Sequence, residues 1–132
     1  MTATAPQGGP NSNAPTGRKN LRSGRLLRHA DFERVYKQGR RLFSTHMTVF
    51  YLRRVDGEGM RVGFTVGRAL GGAVDRNRMK RRLRESVRLC RPADSPAVDV
   101  VINPKKSVRV AEFQVLLSEV SRAFEVIAQK LA

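Results

Sequence analysis

The chain has 132 residues, enough for one domain with a modest core, and its formal net charge at pH 7 is +15. A positive charge of this size indicates a polyanionic partner, either nucleic acid or an anionic membrane surface. No apolar run approaches the length of a membrane-spanning helix, and the most basic segment lacks the aromatic and leucine-rich face of an interfacial anchor. The composition therefore favours nucleic acid.

The N-terminal segment differs in composition from the rest of the chain. Residues 1–20 are rich in Pro, Gly, Asn and Thr and contain almost no large apolar side chains, so they cannot bury enough surface to offset the entropy of ordering. We predict a disordered extension over 1–20 and a single nucleic-acid-binding domain over 21–132. The extension lacks the apolar centre of a secretory signal, and the lone Cys90 suits a reducing compartment, so a cytoplasmic protein is expected.

The first predicted helix covers about residues 30–38. Asp31 near its start suits the helix dipole, and Gly39 is a typical C-terminal cap. Phe32, Val35 and Tyr36 stand at i, i+3 and i+4, so they share one apolar face. This face would fit core packing, whereas Phe32 and Tyr36 would equally fit the wall of a groove. The helix pattern leaves both readings open.

Three strands are predicted next, over about residues 41–45, 47–53 and 61–66. In the second strand, the face that carries Phe50 is as apolar as the opposite face, so both faces should be covered or functional. In the third strand, Gly63 and Thr65 make one face small, which leaves the space that a groove floor needs.

The segment 74–91 has the strongest pattern in the chain. As a helix it has a narrow apolar seam, made by Met79, Leu83, Val87 and Cys90. Another face is cationic and contains Asn77, Lys80, Arg81, Arg84, Arg88 and Arg91. Ordinary surface helices mix charges of both signs, whereas this face repeats one sign and uses mostly Arg, which suits phosphate contact and base stacking. The segment predicts a helix that docks on a core and presents cations to a nucleic acid.

The C-terminal part completes the fold class. An apolar strand is predicted over 98–102 and an amphipathic helix over about 110–131. The element order is therefore α-β-β-β-α-β-α. It predicts an α+β sandwich, in which helices pack against one small mixed sheet.

Catalytic and metal-binding patterns are missing from the sequence. His29 and His46 have no metal-ligand spacing, and the acidic residues form no constellation that would hold Mg²⁺. No nucleophile motif is present either. We therefore expect a binding protein that has no catalytic residues and holds no metal by itself.

One motif is specific to a family. The run Gly-Ala-Val-Asp-Arg-Asn-Arg-Met-Lys-Arg from Gly72 to Arg81 closely resembles the signature of the protein subunit of bacterial ribonuclease P. The helix that begins at Asp31-Phe32 and the strand from Arg61 to Val66 are similar to elements of the same family. The resemblance covers about residues 21–130.

The resemblance implies a fold, an activity and partners. The fold would be the α-β-β-β-α-β-α sandwich with a left-handed β-α-β crossover, as in a ribosomal-protein domain, although the general prior is right-handed. The activity would be endonucleolytic removal of the 5′ leader of precursor tRNA, catalysed by the RNA subunit with bound Mg²⁺ and assisted by the protein. The partners would be the ribonuclease P RNA subunit and precursor tRNA, with no obligate protein partner and no membrane.

The resemblance also implies two groups of site residues. The RNA-contacting residues would be Arg68, Arg76, Asn77, Arg78, Lys80, Arg81, Arg84 and Arg88. The groove that holds the single-stranded leader would be lined by Phe32, Tyr36, Phe50 and Thr65. Two departures from the family pattern affect these residues. Many members have paired basic residues after the third strand, where this chain has only Arg68. Position 50 is Phe where Tyr also occurs, so stacking would remain without the hydroxyl.

Three other functions compete with this interpretation. A general ribosomal or RNA-chaperone protein would explain the charge but not the signature. A nuclease that acts alone would need the acidic metal site or histidine pair that the sequence lacks. A DNA-binding regulator would need helix-turn-helix spacing or a dimer seam, and neither is evident.

Overall fold

The structure is a computed structural model, and it describes residues 28–131. The predicted disordered extension (1–20) and residues 21–27 of the predicted domain lie outside the described residues, as does residue 132.

The predicted order of elements is confirmed, including the short first strand. The helices and strands are α1 (His29–Gln38), β1 (Arg40–Phe43), β2 (Met47–Arg53), β3 (Met60–Phe64), α2 (Ala73–Cys90), β4 (Val98–Pro104) and α3 (Phe113–Leu131). Short 3-10 turns at Arg68–Leu70 and Lys106–Arg109 precede α2 and α3.

Four predicted boundaries were wrong. β1 ends at Phe43, two residues before the predicted end at 45. β3 ends at Phe64, although the backbone N–H of Thr65 still donates to Ile102 O over 3.0 Å. β4 continues to Pro104, which pairs with Met47 at the strand end, where a residue without an N–H is tolerated. α3 begins three residues later than expected, because the preceding 3-10 turn places Val108 in the core and Val110 in solvent.

The strands form one four-stranded sheet in the order β1-β2-β4-β3. β2 is antiparallel to both of its neighbours, whereas β3 and β4 are parallel. Parallel neighbours need a crossover connection, and α2 lies in that connection. The sheet is therefore mixed, and the predicted α+β class is confirmed.

One face of the sheet carries the main core. Alternate residues of β2 and β4 are buried there, because side chains alternate between the two faces of a strand. The seam of α2 packs on this face as predicted, with Met79 and Leu83 fully buried, and α3 packs beside α2. The cationic face of α2 consequently points away from the core.

The other face is covered only in part, by α1, which packs on β2 and β4. Val35 of α1 and Val101 of β4 are fully buried on this side. In the register of the sheet, Phe50 and Gly63 flank Val101 on either side. The short helix leaves the rest of this face open.

A network of charged side chains fastens α1 to the sheet. Asp99 on β4 is fully buried and accepts hydrogen bonds from Arg54 Nη1 at 2.9 Å and from Arg61 Nε and Nη2 at 2.7 and 2.8 Å. Arg61 Nη2 also lies 3.4 Å from Asp31 Oδ1 on α1, and Arg34 pairs with the same carboxylate. The position of α1 over the sheet is thus set by ion pairs as well as by Val35.

Candidate nucleic-acid interface

The outer face of α2 is cationic, as its sequence pattern predicts. Asn77, Arg78 and Arg81 are exposed, as are Arg84 and Arg88 further along the helix. Arg76 and Lys80 are half-buried at the border of this face. The helix therefore brings all seven α2 residues predicted to contact RNA to one side or its border.

Like charges are concentrated along one edge of that face. Arg76, Lys80 and Arg84 are spaced four residues apart, so they stand one above another on the helix. The pKa of Lys80 lies below its ordinary value, first because burial disfavours the charged ammonium and then because Arg76 and Arg84 repel it. A bound phosphate backbone would reduce the mutual repulsion of these cations.

Arg88 differs from the rest of the predicted contact residues. Its Nε donates to Glu85 Oε1 at 3.0 Å, and both side chains are exposed. The hydrogen bond from Arg88 lowers the pKa of Glu85. Because the guanidinium already has an anionic partner, Arg88 presents a weaker field to RNA than Arg78 or Arg81 does.

Two other arginines of this region hold α2 against the segment that precedes α3. Arg82 donates to the backbone oxygens of Arg109, at 3.3 Å, and of Ala111. Arg109 in turn pairs with Asp75 at 2.9 Å. These contacts join the side of α2 that faces α3 to the segment that leads into α3, and they hold the cationic face in a fixed orientation.

The connection from β3 to α2 places Arg68 in a 3-10 turn, where it is exposed. Gly71 ends this turn with φ 134°, a conformation that L side chains rarely adopt. The backbone oxygen of Gly71 accepts a hydrogen bond from Arg76 Nε at 3.1 Å. The turn therefore presents Arg68 just before the first cations of the helix.

Three of the four predicted groove residues meet on the open face of the sheet. The rings of Tyr36 and Phe50 pack edge-to-face, with their centroids 4.9 Å apart. The hydroxyl of Tyr36 lies 2.6 Å from Thr65 Oγ1 and donates to Asn103 Oδ1 at 2.9 Å. A hydroxyl has one proton, so Thr65 is the donor to Tyr36. Thr65 is exposed and Tyr36 retains 38% of its accessible surface, so a ligand can reach both.

The fourth predicted groove residue, Phe32, lies one helical turn before Tyr36 on α1 and is half-buried.

Asn103 belongs to the cluster around Tyr36, but the sequence analysis did not identify it. The chain was expected to leave the strand at Asn103, but β4 continues and the side chain shares a face with Val101. The alternation of Asp99, Val101 and Asn103 was the signal that could have identified it. We call Phe32, Tyr36, Phe50, Thr65 and Asn103 the sheet groove.

The histidines and the cysteine have ordinary structural partners. His46 Nδ1 lies 2.6 Å from Ser107 Oγ and its Nε2 lies 3.7 Å from Glu119, while His29 is exposed beside Glu33. Cys90 Sγ donates to Leu117 O at 3.5 Å, and burial raises the pKa of its thiol. Because the thiolate is the reactive form, such a thiol is less reactive than a solvent-exposed cysteine.

Metal-ligand clusters and membrane-spanning helices are both absent from residues 28–131. In that range, no three His, Cys, Asp or Glu side chains lie close enough together to hold a metal ion. None of the helices in the same range has the length and apolarity needed to cross a membrane.

Comparisons with known proteins identify the family. The family model described as Ribonuclease P matches residues 21–128. The ribonuclease P protein component of Symbiobacterium thermophilum is 40% identical over 101 residues, which cover 76% of this chain and 88% of that protein. The corresponding component of a Geobacter species is 39% identical over 108 residues, covering 82% of this chain and 91% of that protein.

A solved structure agrees with the sequence matches. The RNase P protein from Thermotoga maritima aligns with a TM-score of 0.68 at 24% identity, covering 77% of this chain and 96% of that one. This likeness shows a shared fold. With the family match over most of the chain, it leads to one conclusion: the chain belongs to the ribonuclease P protein family.

Proposed function

We propose that this protein binds the ribonuclease P RNA subunit and the 5′ leader of precursor tRNA, and so promotes removal of the leader. Phosphodiester hydrolysis is assigned to the RNA subunit, with Mg²⁺ held mainly by that RNA. The cytoplasmic location and the lack of an obligate protein partner stay predictions from the sequence.

The observation that carries the proposal is the sheet groove. Aromatic rings offer sequence-tolerant stacking to single-stranded RNA, and the Tyr36 and Phe50 rings lie together on an open sheet face. The hydrogen bonds from Thr65 and to Asn103 fix the orientation of the Tyr36 ring. A groove that stacks bases without reading their edges suits a protein that must accept many different leaders.

The cationic face of α2 supplies the second contact. Thr65 precedes Arg68 by three residues, so the chain leads directly from the groove to the first cation of the connection. A leader in the groove would therefore meet the tRNA body near the start of α2. The exposed Arg78 and Arg81 are available there for phosphates of the catalytic RNA.

Cleavage of precursor tRNA at low Mg²⁺ tests the proposal. The three reactions contain the protein alone, a bacterial ribonuclease P RNA alone, and both together. We expect cleavage at the mature 5′ end only in the mixture. Cleavage by the protein alone would place the chemistry in the protein, and the absence of any stimulation would favour a general RNA-binding role.

A further inference from the structure

An exposed aromatic side chain lies on β1, outside the sheet groove. Phe43 keeps 73% of its accessible surface, and the guanidinium carbon of Arg41 lies 5.6 Å from the centroid of its ring. An exposed Phe on its own is common at protein surfaces. Here the ring is paired with a cation. Proteins that bind single-stranded nucleic acids use this combination, in which an aromatic ring stacks on a base and a cation contacts the phosphate backbone.

The strand register connects this pair to the groove. Arg41 lies directly opposite Phe50, and Phe43 lies opposite Thr48. Directly paired residues project from the same face of a sheet, so Arg41 and Phe43 continue the face that carries Phe50. Phe43 and Phe50 are diagonal neighbours, whose Cα atoms lie roughly 7–8 Å apart in such a register.

The groove residues follow the order of the strands across the sheet. Thr65 follows β3 at one edge, Asn103 lies on β4, Phe50 lies on β2, and Arg41 and Phe43 lie on β1 at the other edge. Neighbouring strands are about 5 Å apart, so these side chains form a continuous track from one edge to the other.

The end of α1 leaves the β1 part of this track open. Gly39 joins α1 directly to β1, and a Cβ atom there would lie 2.5 Å from Val35 O and 2.6 Å from Tyr51 O. This close approach holds the start of β1 against the end of α1. The helix itself packs on β2 and β4, and Arg41 and Phe43 remain exposed.

We propose that Arg41 and Phe43 form a second stacking platform, on which the leader of precursor tRNA continues past Phe50 to the edge of the sheet. A base would stack on the Phe43 ring while Arg41 contacts a phosphate. The platform would bind leader nucleotides farther from the cleavage site than those in the sheet groove. This inference rests on the proposed function and extends its binding site by one strand.

The test compares precursor tRNAs that differ only in leader length. The protein is assembled with the RNA subunit, and binding is measured for mature tRNA, for a short leader that ends in the sheet groove, and for a long leader that crosses β1. We expect Phe43→Ala to weaken binding of the long leader about fivefold or more. Binding of the short leader and of mature tRNA should stay unchanged.

Matched variants separate stacking from general surface effects. Phe43→Tyr should retain the affinity, whereas Phe43→Leu should lose it because it is apolar without a π face. Arg41→Gln should reduce the salt dependence of long-leader binding. Thermal unfolding should be the same for all these variants, because both side chains are exposed.

Phe50→Ala distinguishes failure of the platform from failure of the groove. Platform and groove both stand if Phe50→Ala weakens binding of both leaders and Phe43→Ala weakens only the long one. If Phe43→Ala has no effect on the long leader, the platform is refuted and the groove stands. If neither variant has an effect, the proposed leader groove fails as well. If Phe43→Ala lowers the affinity equally for all three tRNAs, the platform is refuted, because β1 would then contact a part of the complex other than the leader.

Discussion

The hydroxyl of Tyr36 and Oγ1 of Thr65 lie 2.6 Å apart, although 29 residues separate them in the chain. This contact joins α1 to the segment that follows β3, so the wall and the floor of the sheet groove are linked by a side-chain hydrogen bond. The same hydroxyl donates to Asn103 on β4, which ties the aromatic ring to two parts of the sheet.

Replacing Tyr36 with Phe should remove these hydrogen bonds and keep the edge-to-face contact with Phe50. A typical intramolecular hydrogen bond contributes about 0.5–1.5 kcal/mol to stability. We expect the free energy of unfolding to fall by less than this for each lost hydrogen bond, because the hydroxyl is exposed. Affinity for precursor tRNA should fall modestly because the ring is no longer held in place. Urea unfolding and binding of precursor against mature tRNA measure the two effects.

Tyr36→Ala is the comparison for that experiment. It removes the ring as well, and a stacking contribution of about 1–3 kcal/mol per base should then be lost from leader binding. If Tyr36→Phe and Tyr36→Ala bind precursor tRNA equally well, the ring does not stack on the leader.

Asp99→Asn should be one of the most destabilising single changes in the protein. The variant leaves the guanidinium groups of Arg54 and Arg61 beside a neutral group in a site where Asp99 is fully buried. Removing one partner of a buried ion pair costs about 3–5 kcal/mol, and urea unfolding would measure the loss.

Glu85→Gln provides the matched control, because it removes the carboxylate of an exposed pair with Arg88. Surface pairs contribute little to stability. Equal stability of the two variants would show that the Asp99 network does not fasten α1 to the sheet.

The main features of the fold and of α2 were predictable because they depend on local patterns. The apolar seam of α2 repeats at helical spacing, so Met79 and Leu83 were identified as core residues without tertiary information. The same periodicity misplaced the start of α3. It cannot distinguish Val110 in solvent from Val108 buried in a 3-10 turn two residues earlier.

The ion network could not be predicted from the sequence. Asp99 lies within an apolar strand, and its partners Arg54 and Arg61 are 45 and 38 residues away. Only the tertiary fold brings them together, and no local pattern marks a buried carboxylate. For the groove, the family resemblance supplied Tyr36, Phe50 and Thr65, whereas Asn103 emerged only when the full length of β4 was known.

The contribution of Asp31 to stability should depend on pH. Burial alone would raise the pKa of its carboxyl, but the backbone N–H of Arg28 and the guanidinium groups of Arg61 and Arg34 outweigh this and hold the pKa below its ordinary value of 3.8. A carboxyl with a lowered pKa in the folded state stabilises the protein fully above its ordinary pKa. The stabilisation is lost as the pH falls through the folded-state value.

Asp31→Asn tests this dependence. We expect wild type to exceed the variant in free energy of unfolding at neutral pH, and the difference to shrink as the pH falls below 3.8. Urea unfolding across that range measures it. A difference that is constant with pH would mean that the variant acts through packing or capping and not through the charge of Asp31.

Arg81 and Arg82 are adjacent in α2 but should have opposite phenotypes. Arg81 is exposed on the cationic face, whereas Arg82 is half-buried and donates to the backbone oxygens of Arg109 and Ala111. Arg81→Ala should weaken binding to the RNA subunit and reduce the slope of log affinity against log salt by about one unit or less. Its free energy of unfolding should match wild type.

Arg82→Ala should instead lower the free energy of unfolding, because the two backbone oxygens lose their donor and the segment before α3 loses its tie to α2. Its salt slope should stay close to that of wild type once the protein is folded. Salt titrations of RNA binding and urea unfolding of both variants separate the two roles. A reduced salt slope for Arg82→Ala with an unchanged slope for Arg81→Ala would mean that the RNA approaches α2 from the side facing α3.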